Sequence, residues 1–112
     1  MREILFRGKR KDNGEWVEGC YVYDEYQSWI IEYGENIRYE VILETVGQWT
    51  EKYDKNKVKI WELGRVKYEG SVWDIEYKNG AFLLIKGVDF RIIFGIQAFE
   101  IEVIEKKGGE IE

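Results

Sequence analysis

The stretch from Val72 to Ile85 leaves the backbone the fewest choices. In Val72-Trp73-Asp74-Ile75-Glu76-Tyr77, Trp73, Ile75 and Tyr77 fall on one side of a two-residue repeat and Asp74 and Glu76 on the other, the pattern of a half-buried strand. Asn79-Gly80 follows, and this pair tolerates the positive φ that a type I′ turn needs at both central positions. Ala81-Phe82-Leu83-Leu84-Ile85 then returns apolar on both faces, which predicts a central strand. No segment carries a sustained 3.6-residue apolar stripe, so the predicted class is mainly β. The one helical candidate is a short turn near Trp61 to Arg65.

The remaining segments read in the same way. Ile4-Leu5-Phe6 and Glu15 to Tyr23 flank Asn13-Gly14 and predict an N-terminal β-hairpin with a type I′ turn. Further strands are expected at Tyr26 to Tyr33, Ile37 to Leu43, Val58 to Trp61, from Val66 onward, and Phe90 to Ile96. The last, Phe99 to Ile104, alternates Phe99, Ile101 and Val103 against Glu100 and Glu102. The chain has no proline, so turns fall to Gly, Asn and Asp, and no strand lacks an amide donor. The polar run Lys52 to Lys57 is the expected boundary between an N-terminal β region, 1–53, and a C-terminal region, 54–112. Either half alone would bury a smaller share of its surface than the whole, so the halves are expected to share an interface. The polar tail Lys106 to Glu112 is expected to fray.

Several chemistries lack their residues. The chain contains no histidine, which removes the commonest general base near neutral pH, the usual Ser-His and Cys-His pairs and the standard zinc sites. The single cysteine, Cys20, sits in a strand pattern and is expected to be a buried, inert thiol. Asp74 with Glu76, and Glu100 with Glu102, alternate with apolar residues as solvated strand faces do. No glycine-rich phosphate loop of the dinucleotide or Walker type occurs, and no cofactor or metal is expected. Without an apolar run of signal-peptide or membrane-span length, the expected location is the reducing cytoplasm. The net charge of -5 disfavours attraction of the whole surface to phosphate. Charge is uneven, with Arg2, Arg7, Lys9, Arg10 and Lys11 against Glu3 at one end and an acidic tail at the other.

Two stretches carry a family likeness. Phe6-Arg7-Gly8-Lys9-Arg10-Lys11-Asp12-Asn13-Gly14-Glu15-Trp16-Val17-Glu18-Gly19 resembles the opening of YopX-like proteins of bacteriophages and prophages. Glu44-Thr45-Val46-Gly47-Gln48-Trp49-Thr50, followed by Asp54-Lys55-Asn56 and Ile60-Trp61-Glu62, is similar to that family's ETVGQ-T segment, its DKNG turn and its IWEGD motif. Tyr77-Lys78-Asn79-Gly80-Ala81-Phe82 extends the resemblance over most of the chain. The resemblance implies a C-terminal SH3-like small barrel on which the N-terminal hairpin region packs, and a bacterial host cytoplasm as location. It carries no established biochemical activity. Two departures stand out: Lys57 occupies the place of the turn glycine, and Leu63-Gly64-Arg65 that of Gly-Asp-Ile. The ending after Ile104 also differs from the family's. Glu62, in the retained part of the motif, is expected to be a turn acid accepting backbone amides.

Two binding surfaces follow as expectations. Five Trp, eight Tyr and five Phe exceed what so small a core needs, and Tyr26, Trp29, Trp49 and Trp61 are the candidates for a groove, a contact with a host or phage protein, or a homo-oligomer interface. Against this stands the alternative of a nucleic-acid module, in which Arg7, Lys9, Arg10 and Lys11 meet phosphates while Trp16 stacks on a base. The simpler expectation for those cations is a solvated hairpin edge, where Lys and Arg discourage strand addition. An enzyme limited to carboxylate or metal-assisted chemistry is the weakest expectation.

Overall fold

A computed structural model describes residues 4 to 104 of the chain. Arg2, Glu3 and the tail from Lys106 to Glu112 lie outside them. Among the described residues the protein is mainly β, with eleven strands, three 3-10 turns and no α-helix. No helix there is long and apolar enough to cross a membrane. The strands form two antiparallel sheets, and the chain divides into two compact units, one ending at Trp49 and the other beginning at Thr50.

The first unit contains β1 (Phe6–Lys9), β2 (Trp16–Tyr23), β3 (Ser28–Ile31), β4 (Arg38–Val41) and the start of β5 (Gly47–Tyr53), in the order β4-β3-β2-β1-β5. On one side β1 pairs with β2, Phe6 opposite Gly19 and Lys9 opposite Trp16; on the other it takes Gly47 and Gln48 of β5. Beyond Lys9, Arg10 forms a bridge with Val41, and the Lys11 and Ile42 amides donate to Glu40 and Lys9 carbonyls at 2.9 Å. The end of β4 is thus tied back to the end of β1. Val17, Ile30 and Val41 make the core, with Phe6, Tyr21, Tyr39 and Val46 packed against it.

Parity along β2 corrects one expectation. Val17 and Gly19 point inward, so Glu18 and Cys20 point outward, and the Cys20 thiol is exposed. Gly19 has no freedom to vary: a Cβ there would lie 2.0 Å from the Ile31 carbonyl oxygen. The β1–β2 turn also differs from the expected two-residue form. Gly14 has φ 74° while Asn13 is not left-handed, and the loop closes through a Gly14 amide bond to the Arg10 carbonyl. The Asn13 side chain accepts the Glu15 amide at 2.9 Å, a local bond that favours this wider loop.

The second unit contains the rest of β5, β6 (Lys59–Trp61), β7 (Arg65–Tyr68), β8 (Ser71–Lys78), β9 (Ala81–Lys86), β10 (Asp89–Ile92) and β11 (Ile101–Val103). Its five-stranded sheet runs β10-β9-β8-β7-β11, which puts the doubly apolar β9 between two neighbours as its pattern predicts. Asn79 and Gly80 have φ 52° and 82°, the left-handed pair that a type I′ turn requires. Ile60, Val66, Trp73, Ile75, Leu84, Ile93, Ile96 and Ile101 form one buried cluster. Three expectations change here. The strand expected at Phe90 to Ile96 ends at Ile92, and Ile93–Gly95 form a 3-10 turn with Ile93 buried. Residues 61 to 65 form a tight turn with no helix, its Gly64 amide donating to the Trp61 carbonyl. Ala98–Glu100 form a 3-10 turn, so the last strand starts at Ile101 and Phe99 is exposed outside its alternation.

Asp54 anchors this unit. Its carboxylate is 2% exposed; Oδ1 accepts the amides of Asn56 (2.8 Å) and Val58 (2.9 Å), and Oδ2 accepts the Val103 amide (2.9 Å). The turn that results carries Lys57 at φ 64°, and the turn after β6 carries Leu63 at φ 69°. Neither residue suits that region, since a Cβ there crowds the following carbonyl.

Two measurements test these assignments. Asp54→Ala removes the acceptor of three part-buried amides and is expected to cost about 1–3 kcal/mol in urea unfolding. Lys57→Gly and Leu63→Gly are each expected to raise stability by about 0.5–1 kcal/mol, relief of left-handed strain outweighing the added freedom of the unfolded chain. A loss of stability in both glycine variants would contradict the strain assignment.

Candidate interaction surface

The link from β2 to β3 is four residues, Asp24-Glu25-Tyr26-Gln27, and Asp24 folds it. Asp24 Oδ1 accepts the amides of Tyr26 (3.0 Å) and Gln27 (2.8 Å), while the Asp24 amide donates to the Gln27 carbonyl (3.0 Å). Short polar side chains make this turn because they reach their own backbone two residues on. The two amide bonds hold the Asp24 carboxyl below the usual carboxylate range. The turn displays Tyr26 at 87% exposure beside Tyr23 at 72%. Tyr23 stacks on Tyr21 with ring centroids 6.0 Å apart, and the Tyr21 and Ser28 hydroxyls share a hydrogen bond of 3.0 Å.

These tyrosines line an open groove of about 590 Å³ together with Leu43. Asp24, Glu25 and Glu44 also line it against one cation, Lys11. The lining therefore offers aromatic faces, hydroxyls and a net negative field, a combination suited to a partly apolar, basic segment. The chain's pattern marks Tyr26 but not the groove, because Tyr23, Leu43 and Glu44 meet only through folding. Asp24 did carry a signal, as an acid opening a short gap between two strands.

The other aromatic candidates are placed differently. Trp29 is half-buried with the Arg38 guanidinium 4.2 Å from its ring centroid. Trp49 is half-buried, its amide donating to the Leu5 carbonyl at 2.8 Å. Trp61 is buried in the core and offers nothing to a partner.

The basic residues are similarly engaged. Arg7 is buried, its guanidinium 4.0 Å from the Trp16 ring centroid, and the Lys9 ammonium stands 5.4 Å from the same ring. Arg10 makes two bonds to Asp12, at 3.0 and 2.7 Å, and lies 4.3 Å from the Tyr39 ring. The bond from Arg10 is the main cause holding the Asp12 carboxyl below the usual range. Lys11 pairs with Glu40 at 3.1 Å. The positive group is thus brought together, but with its charges turned onto its own acids and rings. Among the described residues, no three of His, Cys, Asp and Glu converge as a metal site would require.

No family model matches the chain, and neither a curated protein nor a solved structure is significantly similar to it.

The Asp24 turn gives a pH prediction. With the folded pKa depressed, the contribution of this carboxylate is present above the usual carboxylate range and is lost as pH falls through the lower folded value. The Tyr26 and Gln27 amide resonances are expected to shift with a midpoint below that range, and Asp24→Ala to abolish the titration. A midpoint at the ordinary carboxylate value would refute the assignment.

Proposed function

We propose that this chain is a YopX-like phage or prophage accessory protein of the bacterial cytoplasm that acts by binding a host or phage protein, without catalysing a reaction. The observation that carries the binding role is the groove beside the Asp24 turn, where Tyr23 and Tyr26 stand largely in solvent above an acidic wall. Large aromatics lose little rotamer freedom on contact, so preorganised tyrosines bind at low entropic cost. The occupant this lining favours is a segment carrying Lys or Arg beside apolar residues.

Three features support the family reading. The motif acid Asp54 organises the turn that the resemblance implies, accepting three amides. Lys57 and Leu63, which stand where the family pattern has glycine, both have positive φ, so the pattern's glycines coincide with places where a glycine is sterically favoured. The meander β7 to β10, with β11 returning beside β7 after two 3-10 turns, is the strand order that an SH3-like small barrel uses. Use of the basic hairpin on nucleic acid would first have to break the Arg10–Asp12 and Lys11–Glu40 pairs, so the tyrosine groove is the stronger reading.

The test is capture from bacterial host lysate by immobilised chain, run beside a Tyr23→Ser, Tyr26→Ser double variant whose unfolding midpoint matches the parent. A protein retained by the parent and released by the variant is the expected result. Capture of nothing by the parent, or equal capture by both, would count against this role.

A further inference from the structure

The five-stranded sheet of the second unit has two edges, and they are treated differently. Along β11 the edge is covered by the turn after β5: the Val103 amide donates to Asp54 Oδ2 and the Ile101 carbonyl accepts the Lys55 amide. Along β10 no such cover exists among the described residues. Its four residues, Asp89-Phe90-Arg91-Ile92, are all exposed, with Phe90 at 56% and Ile92 at 54%. Proteins commonly guard such an edge with charged side chains, proline or a bulge; β10 has no proline, and its two charges, Asp89 and Arg91, are of opposite sign.

The register of this edge shows what fits it. Lys86 and Asp89 close the two-residue turn to β9, and a two-residue hairpin closes on a hydrogen-bonded pair. The Asp89 and Arg91 backbone groups therefore face β9, and those of Phe90 face the free edge. Consistent with this, the Phe90 carbonyl accepts a bond from the Arg91 guanidinium at 2.8 Å, and its second lone pair remains for another donor. On the outer face Phe90 lies opposite Ile85 and Ile92 opposite Leu83, which makes an apolar stripe that ends at the open edge.

We propose that two copies of this chain join antiparallel through β10, about a two-fold axis at Phe90, to make one continuous ten-stranded sheet. Only a register centred on a residue keeps each side chain on its own face, and the two middle residues of the strand, Phe90 and Arg91, differ sharply as centres. Centring on Arg91 sets two guanidinium groups opposite each other, which like charges disfavour. Centring on Phe90 sets Asp89 opposite Arg91 of the second copy, twice, and Phe90 opposite Phe90. It also brings Val88, 98% exposed, against Ile92 of the second copy. The edge is thus complementary to itself in charge, in apolar surface and in backbone donors and acceptors. This proposal concerns the second unit and does not rest on the tyrosine groove.

Sedimentation equilibrium of the full chain is expected to show a concentration-dependent dimer. Asp89→Arg and Arg91→Asp, each setting like charges opposite, are expected to weaken it roughly tenfold or more, and the double exchange to restore it. In a Cys20→Ser background, Phe90→Cys is expected to oxidise to a covalent dimer, since a hydrogen-bonded antiparallel pair sits within disulfide reach, while Ile92→Cys is not. A monomeric parent chain would overturn the proposal. So would a dimer indifferent to both single charge reversals, or one that Ile92→Cys locks as readily as Phe90→Cys. Because β10 is exposed, the charge variants are expected to keep the parent's unfolding midpoint; if Arg91→Asp loses it through the Trp73 contact, the cysteine pair decides alone.

Discussion

A carboxylate that is 2% exposed must find donors for its oxygens, and Asp54 finds three backbone amides: Asn56, Val58 and Val103. Two of them close the turn between β5 and β6, and the third lies 49 residues along the chain in the last described strand. A strand of only three residues, Ile101–Val103, gains little from one ladder with β7, so the covered far edge matters to its place. Ile101 in turn completes the buried cluster of the second unit. Local turn chemistry and long-range strand placement therefore meet in one side chain. The same turn requires a left-handed residue at 57, where the chain supplies lysine.

The abundance of aromatic and basic residues has a shared explanation. Trp16 has Arg7 and Lys9 near its ring, Trp29 has Arg38, and Trp73 has Lys86 and Arg91, all with cation-to-ring distances of 4.0 to 5.6 Å. Such a contact contributes roughly 0.5–1 kcal/mol where it is exposed and about 2 kcal/mol where it is desolvated, as at buried Arg7. Their larger effect is on what the surface offers. Indole faces and positive charges are withdrawn together, leaving Tyr23 and Tyr26 beside a net acidic groove.

The hairpin of β8 and β9 was legible because every local signal agreed: alternation, a left-handed Asn-Gly pair and a doubly apolar return strand. Elsewhere a local signal met a competitor. At Asn13-Gly14 the asparagine side chain bonds the Glu15 amide and the turn widens. At Phe99 the two-residue repeat extended over a residue that lies in a 3-10 turn, where Glu100 Oε2 accepts the Gln97 amide at 3.0 Å. Cys20 reads as strand but gives no sign of which face it takes; the inward position of Gly19, pressed on the Ile31 carbonyl, turns the thiol outward.

From the residues alone came the two-residue period, the strand-rich class, most turn positions and the polar run from Lys52 to Lys57, though not the part Asp54 plays in it. These depend on φ preferences and bonds spanning a few residues, which any neighbouring chain leaves unchanged. Only tertiary structure decided that Trp61 and Arg7 are buried, that Tyr23 and Leu43 share a groove, and that, among the described residues, the β11 edge is covered and the β10 edge is not. Those outcomes depend on which strand lies opposite which, and that register is set by contacts between residues far apart in the chain.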